Sequence, residues 1–500
     1  MSTIDQPKLS NLGGSFECSN NLYNGVWELG TRAVTAACVD AGSQPATWDI
    51  TSEGAYIRGQ RPATSYKGSS FSSYTLTFET KIARGGTGWA MADSGYAGSF
   101  QFLLVSDLPV ANQFINVNKT LTPPNTLIIS HGWGNLVNQT TLSIYILDTI
   151  SLGLDVHEDV WHTITTQLAP SGHLIVELNS TQIANLTLAD YASIGHFSTT
   201  GSFGFGPNQD QAAYYRNAMV TDSKGTLLYN STLTSEDVLA EYGVASNPST
   251  VCMDGAKRDR LVWLGDFFHT ARIATTAVGR WDYVQDTIKY LLGWQSIVNG
   301  QLPIDPPLSQ TPQTNYTSLG LEDYQTLGML AYTGQTQRWM VEIYMLILQS
   351  GHFQRSGDLA FVEDTWPAMK KLATFLLSNV NTTTGLATFA SAFLGPGSGT
   401  SSSGLLAQSF RELAVVADAV NDTAAAAEYR QTAMAVSAGI NKLLFNPALG
   451  IYGIDQTTLT DFSVAGLAFA ITSGEYQHAI VPPFHSETQP NLLRHLTNPN

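Results

Sequence analysis

Met253-Asp-Gly-Ala-Lys-Arg-Asp-Arg-Leu-Val-Trp-Leu-Gly-Asp-Phe-Phe-His-Thr270 is the stretch at which this chain changes character. Six charged residues fall between Asp254 and Asp266, in a chain of which only 13% is charged. Upstream, apolar and β-branched residues alternate with polar ones. Tyr74 to Ile82, Thr126 to Ser130, Thr141 to Leu147 and His173 to Leu178 each follow a period of two, with Gly, Asn, Asp and Ser clusters between them. That pattern predicts antiparallel strands joined by turns, and many such strands without intervening helices predict a sandwich or barrel. Asn208 to Thr221 adds a strand, and Ser235 to Tyr242 a short helix leading out.

Downstream the apolar period lengthens to three or four residues. Helices are expected over Leu261–Val278, Trp281–Val298, Leu319–Tyr332, Arg338–Leu348, Leu359–Leu377, Leu405–Val420, Thr423–Phe445 and Phe462–Thr472,. Turns such as Thr333-Gly-Gln and Asn381-Thr-Thr-Thr-Gly385 separate them, which suggests stacked helical hairpins,. The change from β to α falls near Ser246 to Thr250. At 500 residues, two or three domains are the prior,.

Composition narrows the function classes. A net charge of −16 argues against nucleic acid or an anionic membrane as partner, because both are bound through clustered cations,. With 43% hydrophobic and 10% aromatic residues, the chain is no disordered acidic polymer,. No run approaches a transmembrane span, and Met1 to Ser10 lacks the basic start and apolar run of a secretory signal,. Cys18, Cys38 and Cys252 are too few for a disulfide framework or a zinc site; one bridge, Cys18 to Cys38, or three buried free thiols are the two readings,. Eight Asn-x-Ser/Thr sequons, at Asn118, Asn138, Asn179, Asn185, Asn230, Asn315, Asn381 and Asn421, hint at secretion,.

If a helix begins near Asp259, then Asp259, Trp263 and Asp266 share one face of it at i, i+4 and i+7,. Leu261, Val262, Leu264 and Phe268 make the rest of its circumference apolar. Two carboxylates and an indole on a mostly buried helix are costly unless they line a wet cleft. Such a cleft suits a sugar, whose hydroxyls donate to carboxylates and whose C–H face packs on an aromatic ring. The plainer reading makes Asp254 an N-cap and Lys257 to Arg260 a solvated first turn, and spacing alone favours it.

The segment resembles the signature of glycoside hydrolase family 78, the α-L-rhamnosidases, and in particular its fungal members. Asp254, Arg258, Asp259, Arg260, Trp263, Gly265 and Asp266 match that signature in order and spacing. The resemblance extends to Tyr74–Trp89 and Trp161–Leu188, similar to the concanavalin-like β-sandwich that precedes the family's catalytic domain. It also takes in Tyr332-Thr-Gly334, Asp364-Thr-Trp-Pro367 and Asn446-Pro-Ala-Leu-Gly-Ile-Tyr452, similar to the opening of its (α/α)6 barrel.

It implies an N-terminal segment over 1–47, a sandwich over 48–248, an incomplete (α/α)6 six-hairpin domain over 249–474 and an irregular tail over 475–500. It further implies an extracellular, inverting glycosidase that removes terminal α-L-rhamnose and needs no cofactor and no metal. By position, Asp259 is the proton donor. Asp254 and Asp266 bind rhamnose hydroxyls, and Arg258 and Trp263 flank the sugar. Many members carry Glu where Asp259 stands, and the shorter Asp has less reach.

The family's base is a Glu late in the barrel. Glu475 and Glu487 are the only late glutamates, and neither lies in a family-like context. The text from Glu475 onward does not resemble the family, so the resemblance implies a truncated member with little activity, at most a carbohydrate-binding protein. Other candidates are weaker. His157-Glu-Asp-Val-Trp-His162 lacks helical metal-ligand spacing and reads as a turn into a strand,. Gly201–Gly206 and Gly395–Gly399 read as loops, Trp281 and Trp294 as packing residues, and His269 and Asp305 as residues that could border the cleft.

Overall fold

The computed structural model describes residues 15–59, 61–94, 98–108, 122–135, 143–193, 197–208, 210–255, 260–310, 312, 320–333 and 359–472. They fall into two compact units: one centred on Asp40–Ser249, the other combining Asp5–Val39, Thr250–Pro306 and Pro312–Asn500. Among the described residues no helix is long and apolar enough to cross a membrane.

The first unit is a β-sandwich. Its larger sheet runs β12 (Thr181–Thr187), β11 (His173–Leu178), β10 (Trp161–Leu168), β5 (Thr75–Arg84), β14 (Ala212–Thr221), β3 (Gly54–Arg58), β2 (Trp48–Thr51), with β15 (Leu227–Ser231) also paired to β14. The second runs β4 (Ala63–Thr64), β13 (Ser202–Phe205), β6 (Gly86–Asp93), β7 (Phe100–Val105), β8 (Thr126–Asn135), β9 (Ser143–Ser151). Alternation in the sequence maps directly onto burial: along β5, Leu76, Phe78, Thr80 and Ile82 face the core while their neighbours face outward,. Trp89, Phe78, Phe205 and Tyr215 meet between the sheets, and Tyr215 bonds the Thr87 hydroxyl and the Gly88 backbone, so the buried phenol keeps partners,. The short helix expected before the boundary is α2 (Asp237–Glu241). His157 to His162 runs through a turn into β10, with His157 Nδ1 2.8 Å from Asp107 Oδ2.

The second unit is helical. It contains α1 (Asn21–Ala37), α3 (Phe267–Ile273), which runs on as a π-helical turn over Ala274–Val278, α4 (Trp281–Gly293), α5 over 322–333, α6 (Leu359–Ser378), α7 (Thr400–Ala419), α8 (Thr423–Leu443) and α9 (Val464–Thr472). The turn at Asn421 joins α7 and α8 into a hairpin. Asp422 caps α8 through Ala425 N and also takes bonds from Trp366 Nε1 and Lys370 Nζ of α6, locking two helices together at one carboxylate,. Two small ribbons complete the unit, β1 (Cys38–Val39) with β16 (Val251–Cys252), and β17 (Phe445–Asn446) with β18 (Ile451–Tyr452). The helix expected over Arg338–Leu348 lies outside the described residues.

Two expectations are corrected. The cysteine pairing is Cys38–Cys252, across 214 residues, and Cys18 is a half-buried free thiol. The chain leaves the helical unit after Val39 and re-enters it at Thr250, and β1 and β16 set these two cysteines opposite each other. A pairing of sequence neighbours has no such strand register to support it.

The second correction concerns the helix over Leu261–Val278, which begins only at Phe267. Arg260 adopts a left-handed backbone with φ 60°,. Val262 N and Leu264 N donate to Pro306 O and Ile304 O, as an extended segment does, so the helical ladder cannot form there. Trp263 and Asp266 therefore do not share a helix face, and Asp259 lies outside the described residues. Asp305, between the two accepting residues, is buried.

Closing so long a loop makes the bridge worth about 5 kcal/mol in the chain-entropy account. Thiol labelling of the denatured, unreduced chain should modify Cys18 alone, and reduction should expose Cys38 and Cys252 and lower the thermal stability of the helical unit. Labelling of all the cysteines without reductant would overturn the pairing. A second prediction concerns Gly265, where an added Cβ would stand 2.7 Å from three ring carbons of Tyr324. Gly265→Ala should therefore cost about 1–3 kcal/mol of that unit's stability, measured by denaturant unfolding.

Candidate functional site

The segment 260–266 passes from an extended stretch into a turn over 264–266 and packs against α5. Leu264 is buried, and its side chain occupies the space above Gly328 of α5, where an added Cβ would meet Leu264 Cδ1 at 2.4 Å. The Tyr324 ring covers Gly265 in the same way. Trp263 meets Tyr324 edge-on, with ring centroids 6.1 Å apart. Asp266, the exposed residue ahead of α3, lies near enough to Tyr324 for its charge to act on the phenol. Tyr324 is thus the residue on which Trp263, Gly265 and Asp266 converge. Burial, with the charges of Asp266 and Asp323, pushes its phenol up to about 12, so it remains a proton donor throughout the ordinary pH range,.

Asp254 closes the other end of the motif. Its Oδ1 accepts from Leu261 N at 3.1 Å, and its own N–H donates to Leu261 O at 3.0 Å, so residues 254 and 261 are tied together. Strand β16 leads directly into it: Cys252 N donates to Thr287 Oγ1 and Met253 N to Ala37 O. Arg258 and Asp259 lie outside the described residues, as do Glu475 and Glu487. The arrangement brings together Trp263 and Asp266 through Tyr324, while Asp254 stands at the base of the same loop. His269 is exposed one turn beyond Asp266.

Residues that the sequence reading passed over prove central. Glu322 and Asp323 open α5, where the helix dipole favours carboxylates. Both are buried, and both grip the segment 391–394. Glu322 N donates to Ser391 O while Ser391 N donates back to Glu322 Oε2. Asp323 Oδ2 accepts from Phe393 N at 2.8 Å and Leu394 N at 2.7 Å. Burial raises the Asp323 carboxyl above its ordinary value, against the pull of these backbone donors. The signal in the sequence is slight: Glu-Asp-Tyr at the start of a predicted helix is also what an ordinary solvated first turn looks like.

Chemically, an exposed carboxylate, a phenolic donor and an indole sit within one side chain of each other. Trp263 Nε1 is buried and has no hydrogen-bond partner among the described residues. Such a mixture of acceptor, donors and aromatic faces is suited to a polyhydroxylated ring. No group of three or more His, Cys, Asp or Glu able to hold a metal occurs among the described residues.

Comparison with known proteins gives the family. A model of the bacterial α-L-rhamnosidase six-hairpin glycosidase domain matches residues 231–481, half of the chain. No curated protein matches. Among solved structures, a rhamnosidase from Klebsiella oxytoca with rhamnose bound is 14% identical, covering 86% of this chain and 69% of its own, with a TM-score of 0.37. A family 78 rhamnosidase of Bacillus sp. GL1 is 12% identical over 89% of this chain and 38% of its own, at a TM-score of 0.37. The carbohydrate-binding module CBM66 from Bacillus subtilis is 12% identical over 35% of this chain and 92% of its own, at 0.25. With its motif, its sandwich followed by helical hairpins and this match over half its length, the chain belongs to the α-L-rhamnosidase six-hairpin glycosidase family, a family of glycoside hydrolases.

Proposed function

We propose that the chain hydrolyses terminal α-L-rhamnosyl residues from glycosides with inversion at the anomeric carbon. The observation that carries this reading is the convergence of Trp263 and Asp266 on Tyr324, within the motif whose residue order matches the family. In this reading Asp259 protonates the glycosidic oxygen, and a carboxylate on the opposite face of the sugar activates water. Asp266, with Tyr324 beside it, accepts from a rhamnose hydroxyl, and Asp254 binds a second one. Arg258 and Trp263 flank the ring. The indole N–H of Trp263, which has no partner among the described residues, supports the role, since a buried donor gains most from a ligand acceptor,. The Cys38–Cys252 bridge and the eight sequons support work outside the reducing cytosol,.

Release of nitrophenol from an aryl α-L-rhamnoside is the direct test. Asp259→Asn should lower kcat by about a hundredfold or more. Equal rates in the two proteins would remove Asp259 from the role of acid. Proton NMR of the first-formed sugar should show the β-anomer, and an α-anomer would overturn inversion. Stabilisation of the fold by L-rhamnose without turnover would make the chain a sugar-binding protein instead.

Tyr324→Phe keeps the ring over Gly265 and removes only the hydroxyl near Asp266. It should raise KM about fivefold with kcat little changed, in line with losing one hydrogen bond of about 1 kcal/mol. An unaltered KM would exclude Asp266 and Tyr324 from sugar binding.

A further inference from the structure

A single exposed apolar side chain is ordinary on a protein surface. Phe393 differs in how it is held. It is 69% exposed, yet its backbone N–H and that of Leu394 both end on the fully buried carboxylate of Asp323. The preceding Ser391 is locked to Glu322 by the reciprocal pair of bonds. On the far side, Ser401 Oγ donates to Leu394 O and Ser402 Oγ to Pro396 O, both hydroxyls coming from the first turn of α7. The loop is therefore fastened to α5 on one side and α7 on the other. Its phenyl ring stands in water with its position determined, at 5.9 Å and 72° to the Tyr324 ring.

Burying two carboxylates is costly, and bonds from backbone N–H groups offset only part of that cost. A loop needing only to cross the surface has no use for such a clamp. Tyr324 in turn meets Trp263 edge-on and lies near Asp266, so Phe393 stands one aromatic step from the residues assigned above to sugar binding.

We infer that Phe393 is an aglycone platform: a fixed phenyl face, held by Asp323, that stacks on an aromatic or otherwise planar apolar group attached to the sugar. This rests on the rhamnoside reading above and adds to it the class of leaving group preferred. The chemistry recognised is a flat apolar surface, since Phe offers no hydrogen bond with which to select a second polyhydroxylated ring in the same place.

The test uses binding, which reads the platform whether or not the chain turns over substrate. Affinities are measured calorimetrically for phenyl 1-thio-α-L-rhamnoside, whose sulfur link resists hydrolysis, and for methyl α-L-rhamnoside. The wild-type chain should prefer the phenyl compound by about five- to tenfold, the range expected of one aromatic contact. Phe393→Ala should abolish that preference, and Phe393→Trp should keep it. Because the side chain is exposed, neither variant should disturb folding, which thermal unfolding checks. A preference that survives in Phe393→Ala, or one absent from the wild type, overturns the platform and leaves the rhamnoside reading intact. If the wild type binds neither compound, the rhamnoside reading fails and the platform fails with it.

Discussion

The Tyr324 ring occupies the space that any side chain larger than hydrogen on residue 265 would need. This contact lets an irregular loop lie close on a helix, and much of the site follows from it. With Gly265 under the ring, Leu264 reaches the groove beside Gly328, Trp263 comes edge-on to the phenol, and Asp266 falls within reach of the hydroxyl. Close packing of this kind tolerates few alternatives, because interiors lack the free volume to absorb an added methyl group. The glycine of the family motif thus has a steric role in this chain, distinct from the conformational freedom for which glycine is usually retained.

Around that contact, buried and half-buried carboxylates act as fasteners. Asp323 and Glu322 secure the segment 391–394 to the start of α5, and at the other end of the helix Thr333 Oγ1 donates to Glu412 of α7. Asp254 ties the base of its loop to Leu261, while the Cys38–Cys252 bridge holds β16, which leads into it. In a chain with so few charges, several of its acidic residues serve backbone N–H groups. A carboxylate accepting two short N–H bonds constrains a loop more tightly than apolar contact does, because the bonds are directional.

The sandwich was legible because its physics is local. A strand buried on one face must alternate, and β5, β10 and β11 do so residue by residue. Most of the helices were legible for the same reason, with α4, α6, α7 and α8 within a turn or two of their expected limits. The misread element is instructive. Residues 261–266 carry an apolar pattern compatible with a helix, and their hydrogen bonds go instead to Pro306 and Ile304, some forty residues on. Periodicity reports which side chains are buried; it does not report which backbone partner satisfies each N–H.

The sequence by itself determined that a strand-rich stretch gives way to a helical one near residue 250, the acidic and sparsely charged composition and the motif from Asp254 to Asp266 that marks the family. These properties are written in residue type and spacing along the chain. Tertiary structure decided which cysteine pairs with Cys38, that Trp263 and Asp266 meet through Tyr324, and that Asp323 fixes the exposed ring of Phe393. Each of these joins residues tens to hundreds of positions apart, and such contacts arise only when helices and loops pack together, so no local pattern could have announced them.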